Sequence, residues 1–159
     1  MSKCTTFFES PLGWMELKCE AEKLTYAWFT ETSGEVIQNI FLSKCIEQFQ
    51  AYFEGQLKTF DLPVHLEGSA FQLRVWQQLQ TIPFNKTISY LDLARQLGDP
   101  LSIRAAAAAN GKNPLAIVVP CHRVVGAKGQ LTGYAGGIVR KQWLLAHEAR
   151  VCGTFAELF

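Results

Sequence analysis

Two short helical patterns, each preceded by a serine that can cap it, constrain the fold of this chain most. Ser89 precedes the first pattern, and Asp92 three residues later completes a capping box. Gly98 ends that helix, and a four-residue turn leads to Ser102, which we expect to cap the second helix, Ile103–Ala109. Two capped helices joined by a short glycine-containing turn predict a helix-turn-helix.

The second of these helices has an unusual composition. Arg104 is followed by five alanines, Ala105–Ala109. Alanine combines a high helix propensity with almost no bulk, so this helix can lie very close to another surface. That surface is either the groove of a nucleic acid, with Arg104 as the one long charged side chain, or a neighbouring helix.

Charge is distributed unevenly along the 159 residues, although the net charge is only +1. Residues 1–70 hold 5 basic and 10 acidic side chains, whereas residues 71–159 hold 10 basic and 4 acidic ones. The second half is therefore expected to be attracted to phosphate groups, and the first half is not. A solvated surface with no partner is the alternative interpretation.

The first part of the chain predicts a small β-meander and one helix. Apolar and polar residues partly alternate in three segments that we expect to be strands: 5–9, 14–19 and 24–30. A Pro11-Leu12-Gly13 turn separates the first two. Apolar residues at helical spacing predict a helix over Val36–Phe53, ended by Gly55. Residues 56–69 are expected to form a strand and a connection.

Both the charge and the hydrophobic pattern change at Ser69, where we place a domain boundary. After it, Phe71, Val75, Trp76 and Leu79 share the face of a helix that ends before Pro83. The predicted fold class is α+β. It has an N-terminal α/β domain over 1–69 and a mostly helical domain over 70–159 that contains the helix-turn-helix.

One cysteine stands at the end of a segment that we expect to be buried. Leu115–Val119 is a continuous apolar run, and Pro120 separates it from Cys121. His122 and Arg123 supply a base and a cation that favour the nucleophilic thiolate. Successive side chains in extended backbone point in opposite directions, so a bond between Cys121 and His122 needs a turn or a water molecule. A buried structural cysteine is the alternative.

The segments after Cys121 predict a ligand-binding loop and a final helix. Residues 132–137 place three glycines around Tyr134, which lets the backbone approach a ligand closely. A helix is expected over Val139–His147, with Glu148 at its end, where a carboxylate can orient an imidazole.

The five cysteines contain no Cys-x-x-Cys pair, which favours reduced thiols over a disulfide framework. No signal peptide or membrane-spanning pattern is recognisable in the sequence. We therefore expect a cytoplasmic protein, or a nuclear one if the host is eukaryotic.

Taken together, these motifs resemble the methylated-DNA–protein-cysteine methyltransferases, also called O6-alkylguanine-DNA alkyltransferases. The resemblance is close in order and spacing from about Phe71 to Glu148, and before that only Ser10–Gly13 matches well. It rests on Tyr90, Arg104, Asn113-Pro114, Pro120-Cys121-His122-Arg123-Val124, Tyr134-Ala135-Gly136-Gly137 and the segment 141–148.

The resemblance implies DNA repair by a single-turnover transfer of an alkyl group from O6-alkylguanine, and also from O4-alkylthymine, to the protein. Cys121 is the implied alkyl acceptor. His122 activates it through a water molecule, and Glu148 orients His122. Tyr90 resembles the hydroxyl donor that protonates the leaving guanine. Because nothing nearby can cleave a thioether, alkylation inactivates the protein irreversibly.

Further residues are implied to contact DNA or the flipped base. Arg104 resembles the finger that fills the space left by the rotated nucleotide, and Asn113 resembles the hinge between the recognition helix and the active-site segment. The other implied DNA contacts are Ser89, Ala105, Ala106, Asn110 and Arg123. The other implied pocket residues are Val124, Tyr134, Ala135 and Gly136.

The implied partner is alkylated duplex DNA, bound from the minor groove by a monomer without a cofactor. Many relatives have Val-Gly where this chain has Ala106-Ala107, so helix packing is expected to differ. Some relatives bind zinc in the N-terminal domain through Cys and His. Here Cys4 and Cys19 are suitably placed but His65 does not clearly match, so we predict no metal.

Two other classes of protein are weighed against this interpretation. The first is a DNA-binding protein that catalyses no reaction. This class includes the alkyltransferase-like proteins, which usually have Trp in place of the acceptor cysteine, whereas Cys121 is present here. A cysteine hydrolase using Cys121 and His122 needs an oxyanion site, and none is recognisable in the sequence.

Overall fold

A computed structural model of the protein describes residues 3–154, and the chain divides into two compact units between Leu66 and Glu67. The predicted α+β class is confirmed: a three-stranded antiparallel sheet with one helix precedes a mostly helical unit. Among the described residues, none of the helices has the length and apolar character needed to cross a membrane.

The N-terminal unit is an antiparallel meander that packs against one helix, α1. Its strands follow sequence order: β1 (Lys3–Ser10), β2 (Gly13–Glu20) and β3 (Lys23–Phe29). Phe8 of β1 packs against Phe49 of α1, with ring centroids 5.8 Å apart. The strand expected within 56–69 is reduced to a single bridge between Val64 and Leu24.

Helix α1 spans Ile40–Phe53, so the prediction that it begins at Val36 was wrong by four residues. Asn39 has an extended backbone, and its Oδ1 accepts a hydrogen bond from Leu42 N at 2.9 Å. This cap begins the helix, because it satisfies an amide that lacks a partner in the first turn. Val36 is left in irregular chain, with its side chain exposed.

The second unit contains four helices in its described part: α2 (Ala70–Leu79), α3 (Tyr90–Gln96), α4 (Ile103–Gly111) and α5 (Ile138–Val151). The expected capping box of Ser89 and Asp92 begins α3, with Ser89 Oγ accepting from Asp92 N at 3.0 Å. Two short parallel strands, β4 (Ile88–Ser89) and β5 (Val124–Val125), join the start of α3 to the segment after Cys121.

The turn between α3 and α4 differs from the expected one. Ser102 makes no capping hydrogen bond, because its backbone is already close to helical. Asp99 has the extended backbone that a cap requires, and its Oδ1 accepts from Leu101 N at 2.9 Å. It begins a 3-10 turn, Pro100–Ser102, which runs directly into α4. The helix-turn-helix is therefore retained with a different cap.

Candidate active site

A cavity of about 460 Å³ lies in the second unit, beside α4. Cys121 is in its wall and is only 2% exposed. Most of the lining is small or apolar, with a few polar groups, as in sites that bind flat organic molecules. It consists of Tyr90, Ile103, Arg104, Ala107, Asn110, Gly111, Cys121, Thr132, Gly133, Tyr134 and Ala135.

The backbone that leads to Cys121 is fixed by the buried side chain of Asn113. Its Nδ2 donates to the carbonyl oxygens of Leu115 and Val119, at 3.2 and 2.7 Å, and its Oδ1 accepts from Leu115 N at 2.9 Å. Within this segment Ile117 has a φ of 73°, a conformation that is costly for a β-branched residue. The surrounding hydrogen bonds maintain this backbone, as expected at a functional site.

The Cys121 thiol is protonated at neutral pH. Burial raises its pKa to about 11, while a hydrogen bond from Asn113 and the nearby charge of Lys141 act in the opposite direction. Because the thiolate is the reactive form of cysteine, this thiol needs a base to become a nucleophile.

His122 is completely buried next to Glu148. Its Nε2 lies 2.7 Å from Glu148 Oε2. Arg123 binds the same carboxylate through Nε and Nη2, both at 3.0 Å, and Asn85 N donates to it at 2.9 Å. The carboxylate therefore links α5 to the turn that follows Cys121 and to residue 85.

The charge states in this network follow from burial and pairing. Burial alone would raise the pKa of Glu148, but its contacts with His122 and Arg123 hold it well below the usual range. Burial lowers the pKa of His122, although Glu148 opposes that effect. A neutral imidazole that donates its Nε2 hydrogen to Glu148 keeps a lone pair on Nδ1. His122 Nδ1 has no hydrogen-bond partner within residues 3–154.

Tyr90 and Lys141 hold a loop that lines the cavity. Tyr90 donates its hydroxyl hydrogen to Thr132 O at 3.2 Å, and burial raises its pKa. Lys141 Nζ donates to Val124 O, Thr132 O and Gly133 O, at 2.7, 2.8 and 3.2 Å. Loop 132–133 is therefore tied to β5 by a cation that also lies near the Cys121 thiol.

No role was expected for Lys141 from the sequence, although it is fully buried. Burial lowers its pKa to about 8, while Cys121 raises it. A positive charge beside the thiol stabilises the thiolate. One sequence pattern does indicate that Lys141 is buried. Its spacing places it on one helical face together with Leu144, Leu145 and Glu148.

The expected DNA-contacting residues separate into exposed and buried sets. Arg104 and Ala105 are exposed on α4. Ser89 is half-buried, and its side chain serves as the cap of α3. The other three residues predicted to contact DNA are buried: Ala106 packs inside the unit, Asn110 lines the cavity and Arg123 pairs with Glu148.

The residues expected to form the base pocket also fall into two groups, those that line the cavity and those that do not. Tyr134 and Ala135 line the cavity. Val124 is fully buried and contributes its carbonyl oxygen to Lys141, while Gly136 O accepts from Arg140 Nη1 at 3.1 Å. Neither these two residues nor Asn113 is part of the cavity wall.

Ala135 is part of the cavity wall. We expect Ala135→Ser to alter the ratio of the transfer rates for methyl and benzyl adducts, because it adds a hydrogen-bond donor and occupies space. Single-turnover rates on duplexes carrying each adduct measure this ratio, and an unchanged ratio would exclude this role for Ala135.

The fold and the site together define a class of protein: an α+β protein with a helix-turn-helix, in which a buried cysteine thiol in a cavity wall is followed in sequence by a buried His–Glu–Arg network. Family models match both parts of the chain. The ribonuclease-like domain of 6-O-methylguanine DNA methyltransferase matches residues 3–66, and the DNA-binding domain matches residues 70–150. The chain belongs to the methylated-DNA–protein-cysteine methyltransferase family.

Individual relatives agree with this assignment. The methylated-DNA–protein-cysteine methyltransferase of Methanosarcina acetivorans is 42% identical over 148 residues, which cover 89% of this chain and 95% of that protein. The one from Mycolicibacterium paratuberculosis is 59% identical over 105 residues, which cover 66% of this chain and 64% of that protein. The latter match therefore spans just under two thirds of its relative.

Solved structures of the Mycobacterium tuberculosis protein are similar along almost the whole chain. Its O6-methylguanine methyltransferase is 42% identical, with a TM-score of 0.85 and coverage of 94% of each chain. A structure of M. tuberculosis OGT in complex with DNA has a TM-score of 0.86, 42% identity and coverage of 98% of each chain.

Proposed function

We propose that this protein repairs DNA by transferring an alkyl group, such as methyl, from the O6 atom of guanine to Cys121. The observation that carries the proposal is the buried Cys121 thiol in the cavity wall, followed directly by His122 in contact with Glu148. DNA as the partner is supported by the DNA-binding domain match and by the DNA complex of the M. tuberculosis relative.

The residues of the site supply a complete proton balance for this reaction. The Cys121 thiol loses its proton to His122 Nδ1 through a water molecule, and Glu148 stabilises the resulting imidazolium. The thiolate attacks the alkyl carbon, so a sulfur–carbon bond forms as the carbon–O6 bond breaks. The electron pair of that bond goes to the guanine, which Tyr90 protonates as it leaves. The proton that His122 took from the thiol then returns through solvent to the Tyr90 oxygen, so both residues regain their starting states.

The reaction stops after one turnover per molecule. Its product is a thioether on Cys121, and the cavity wall offers no group able to break a sulfur–carbon bond. The protein is thus consumed stoichiometrically and acts without a cofactor. O4-alkylthymine, which presents an equivalent alkyl carbon on an exocyclic oxygen, is a second substrate.

Access to the O6 atom requires the nucleotide to leave the base stack, since the atom is otherwise enclosed in the duplex. The helix-turn-helix binds the minor groove as a monomer, with the small side chains of α4 allowing close approach. Arg104 is exposed at the rim of the cavity and fills the space that the rotated nucleotide leaves. The basic balance of residues 71–159 attracts the phosphates.

Arg104→Ala is expected to slow transfer from duplex DNA by about tenfold or more, because the flipped state loses the group that replaces the base. Transfer from the free base O6-benzylguanine should change little, since no duplex has to open. Single-turnover rates with both substrates measure the effect. An equal loss with both substrates would contradict this role for Arg104.

The proposed function is tested by mass analysis of the intact protein and of its peptides after incubation with a duplex that contains one O6-methylguanine. We expect the Cys121 peptide to gain the mass of one methylene group, and Cys121→Ala to gain none. Binding of the lesion without modification would favour a DNA-binding module without chemistry. Repeated turnover of an acyl probe at Cys121 would favour a cysteine hydrolase.

A further inference from the structure

Two of the five cysteines, Cys4 and Cys19, lie directly opposite each other on the antiparallel strands β1 and β2. Both are free thiols. Directly opposed residues present their side chains on the same face of a sheet, with Cα atoms about 4.5–5.5 Å apart. Disulfide bonds join Cα atoms that are about 4.4–6.8 Å apart. The strand pairing therefore holds two thiols where a disulfide can form without a change of register.

The two thiols differ in their access to solvent. Cys4 is half-buried near the start of β1, whereas Cys19 is only 5% exposed. Burial raises the pKa of Cys19, and the nearby Cys4 raises it further. A reagent from solution therefore reaches Cys4 first, and Cys19 is the neighbour that can displace a group attached to the Cys4 sulfur.

Asn39, the cap of α1, orients the Cys4 sulfur. Its Oδ1 accepts from Leu42 N at 2.9 Å, which fixes the amide so that Nδ2 is the atom directed at Cys4. Nδ2 donates to Cys4 Sγ at 3.5 Å. A donor directed at sulfur favours the thiolate, which is the form of cysteine that attacks a disulfide. The thiol that solvent reaches is therefore also the one prepared for attack.

Metal binding is the other common use of neighbouring cysteines, and the surroundings of this pair do not favour it. Structural zinc sites almost always have four ligands. Within residues 3–154, no group of three or more His, Cys, Asp and Glu side chains is placed to hold a metal ion. Cys45, in helix α1 of the same unit, is fully buried, and burial raises its pKa to about 12. Two opposed thiols without such a ligand group favour oxidation to a disulfide.

We propose that Cys4 and Cys19 are a redox modification site, at which a small-molecule disulfide such as oxidised glutathione introduces a reversible disulfide bond between β1 and β2. The Cys4 thiolate attacks one sulfur of the reagent, whose sulfur–sulfur bond breaks, and one glutathione leaves as a thiolate. The Cys19 thiolate then attacks the Cys4 sulfur and displaces the second glutathione. The protons of the two cysteines end on the two glutathione thiols, so the protein loses two electrons and the reagent gains them.

The proposed alkyl acceptor is protected from the same reagent. Cys121 belongs to the other unit, is 2% exposed and has its pKa raised to about 11. A buried cysteine of this kind is inert towards reagents in solution. The pair on β1 and β2 can therefore be oxidised while Cys121 stays a thiol.

Mass analysis of the full chain after incubation with oxidised glutathione tests the proposal. We expect the protein to lose the mass of two hydrogen atoms and to yield a cross-linked pair of peptides that contain Cys4 and Cys19. Dithiothreitol should restore the original mass. Cross-linking should be roughly tenfold or more faster than modification of Cys121, because accessible thiolates react and buried thiols do not.

Three variants identify the participants. Cys19→Ser should stop at a glutathione adduct on Cys4, because the displacing thiol is missing, and Cys4→Ser should form no cross-link. Cys152→Ser, which removes an exposed cysteine of the other unit, is the matched control and should cross-link at the rate of the unaltered protein.

Several outcomes would overturn the inference. They are glutathione adducts on the unaltered protein without a cross-link, a cross-link between Cys19 and Cys45, and modification of Cys121 before the pair. Stoichiometric zinc that blocks cross-linking until a chelator removes it would show metal binding and would also overturn it. The readouts are masses and do not require alkyl transfer, so none of these results bears on the proposed function.

Discussion

His122→Gln is expected to slow alkyl transfer at neutral pH by about 10²–10⁴-fold, the usual contribution of a general base. Glutamine can still donate a hydrogen bond to Glu148, but it cannot take the proton of Cys121. The variant then reacts only through the small fraction of thiol that ionises spontaneously, because the pKa of Cys121 is raised to about 11.

The pH dependence of the transfer rate distinguishes the two proteins more sharply than the rate at a single pH. In the unaltered protein, His122 has a lowered pKa and is already neutral at pH 7, so the rate should be nearly constant from there towards the pKa of Cys121. In His122→Gln the rate should rise about tenfold per pH unit over the same range, as the thiolate fraction does. Single-turnover rates with methylated duplex give both profiles.

A second histidine serves as the control. His147 stacks on Trp143 in the same helix, with ring centroids 4.9 Å apart, and lines no part of the cavity. His147→Gln should therefore keep the flat profile of the unaltered protein. If His122→Gln kept a flat profile too, another group would have to be the base.

Glu148→Ala is expected to destabilise the second unit by about 3–5 kcal/mol, the cost of removing one partner of a buried ion pair. The substitution leaves the guanidinium of Arg123 and the ring of His122 without the carboxylate that binds both. It also leaves Asn85 N without its acceptor. Hydrogen exchange in peptides from Ile138–Val151 measures the change in the free energy of unfolding of this unit.

The effect should depend on pH with a definite sign. The pKa of Glu148 is lowered in the folded protein, so the carboxylate stabilises the unit fully above its ordinary pKa of about 4.3, and this contribution is lost as the pH falls below that value. The difference between the variant and the unaltered protein should therefore shrink in acid. Gln142→Ala, at an exposed position of the same helix, is the matched control and should differ little from the unaltered protein at any pH.

Local signals explain how much of the fold could be predicted. The capping box of Ser89 and Asp92 depends on residues three apart, so the sequence alone was enough to locate the start of α3. The start of α1 was misplaced because the apolar spacing continues back to Val36, while the cap that decides it is Asn39. Ser102 is a residue type that often caps helices, but its backbone does not have the extended conformation that a cap requires.

The site was predictable where it follows a motif and not where it depends on burial. Cys121, His122 and Glu148 were expected together from the resemblance, and the last two are in contact. The buried position of Arg123 and the three carbonyl contacts of Lys141 arise from segments distant in sequence. Such contacts leave no local pattern in the sequence. For this reason Arg123 was predicted to contact DNA, and no role was predicted for Lys141.

The raised pKa of the acceptor thiol also affects how long each molecule stays usable. A protein that reacts once cannot recover a cysteine lost to peroxide, and oxidation of cysteine proceeds through the thiolate. Cys121 is a buried thiol with a pKa of about 11, so its thiolate is scarce at neutral pH. In the proposed reaction, the burial that makes a base necessary therefore also protects the unreacted thiol from oxidation.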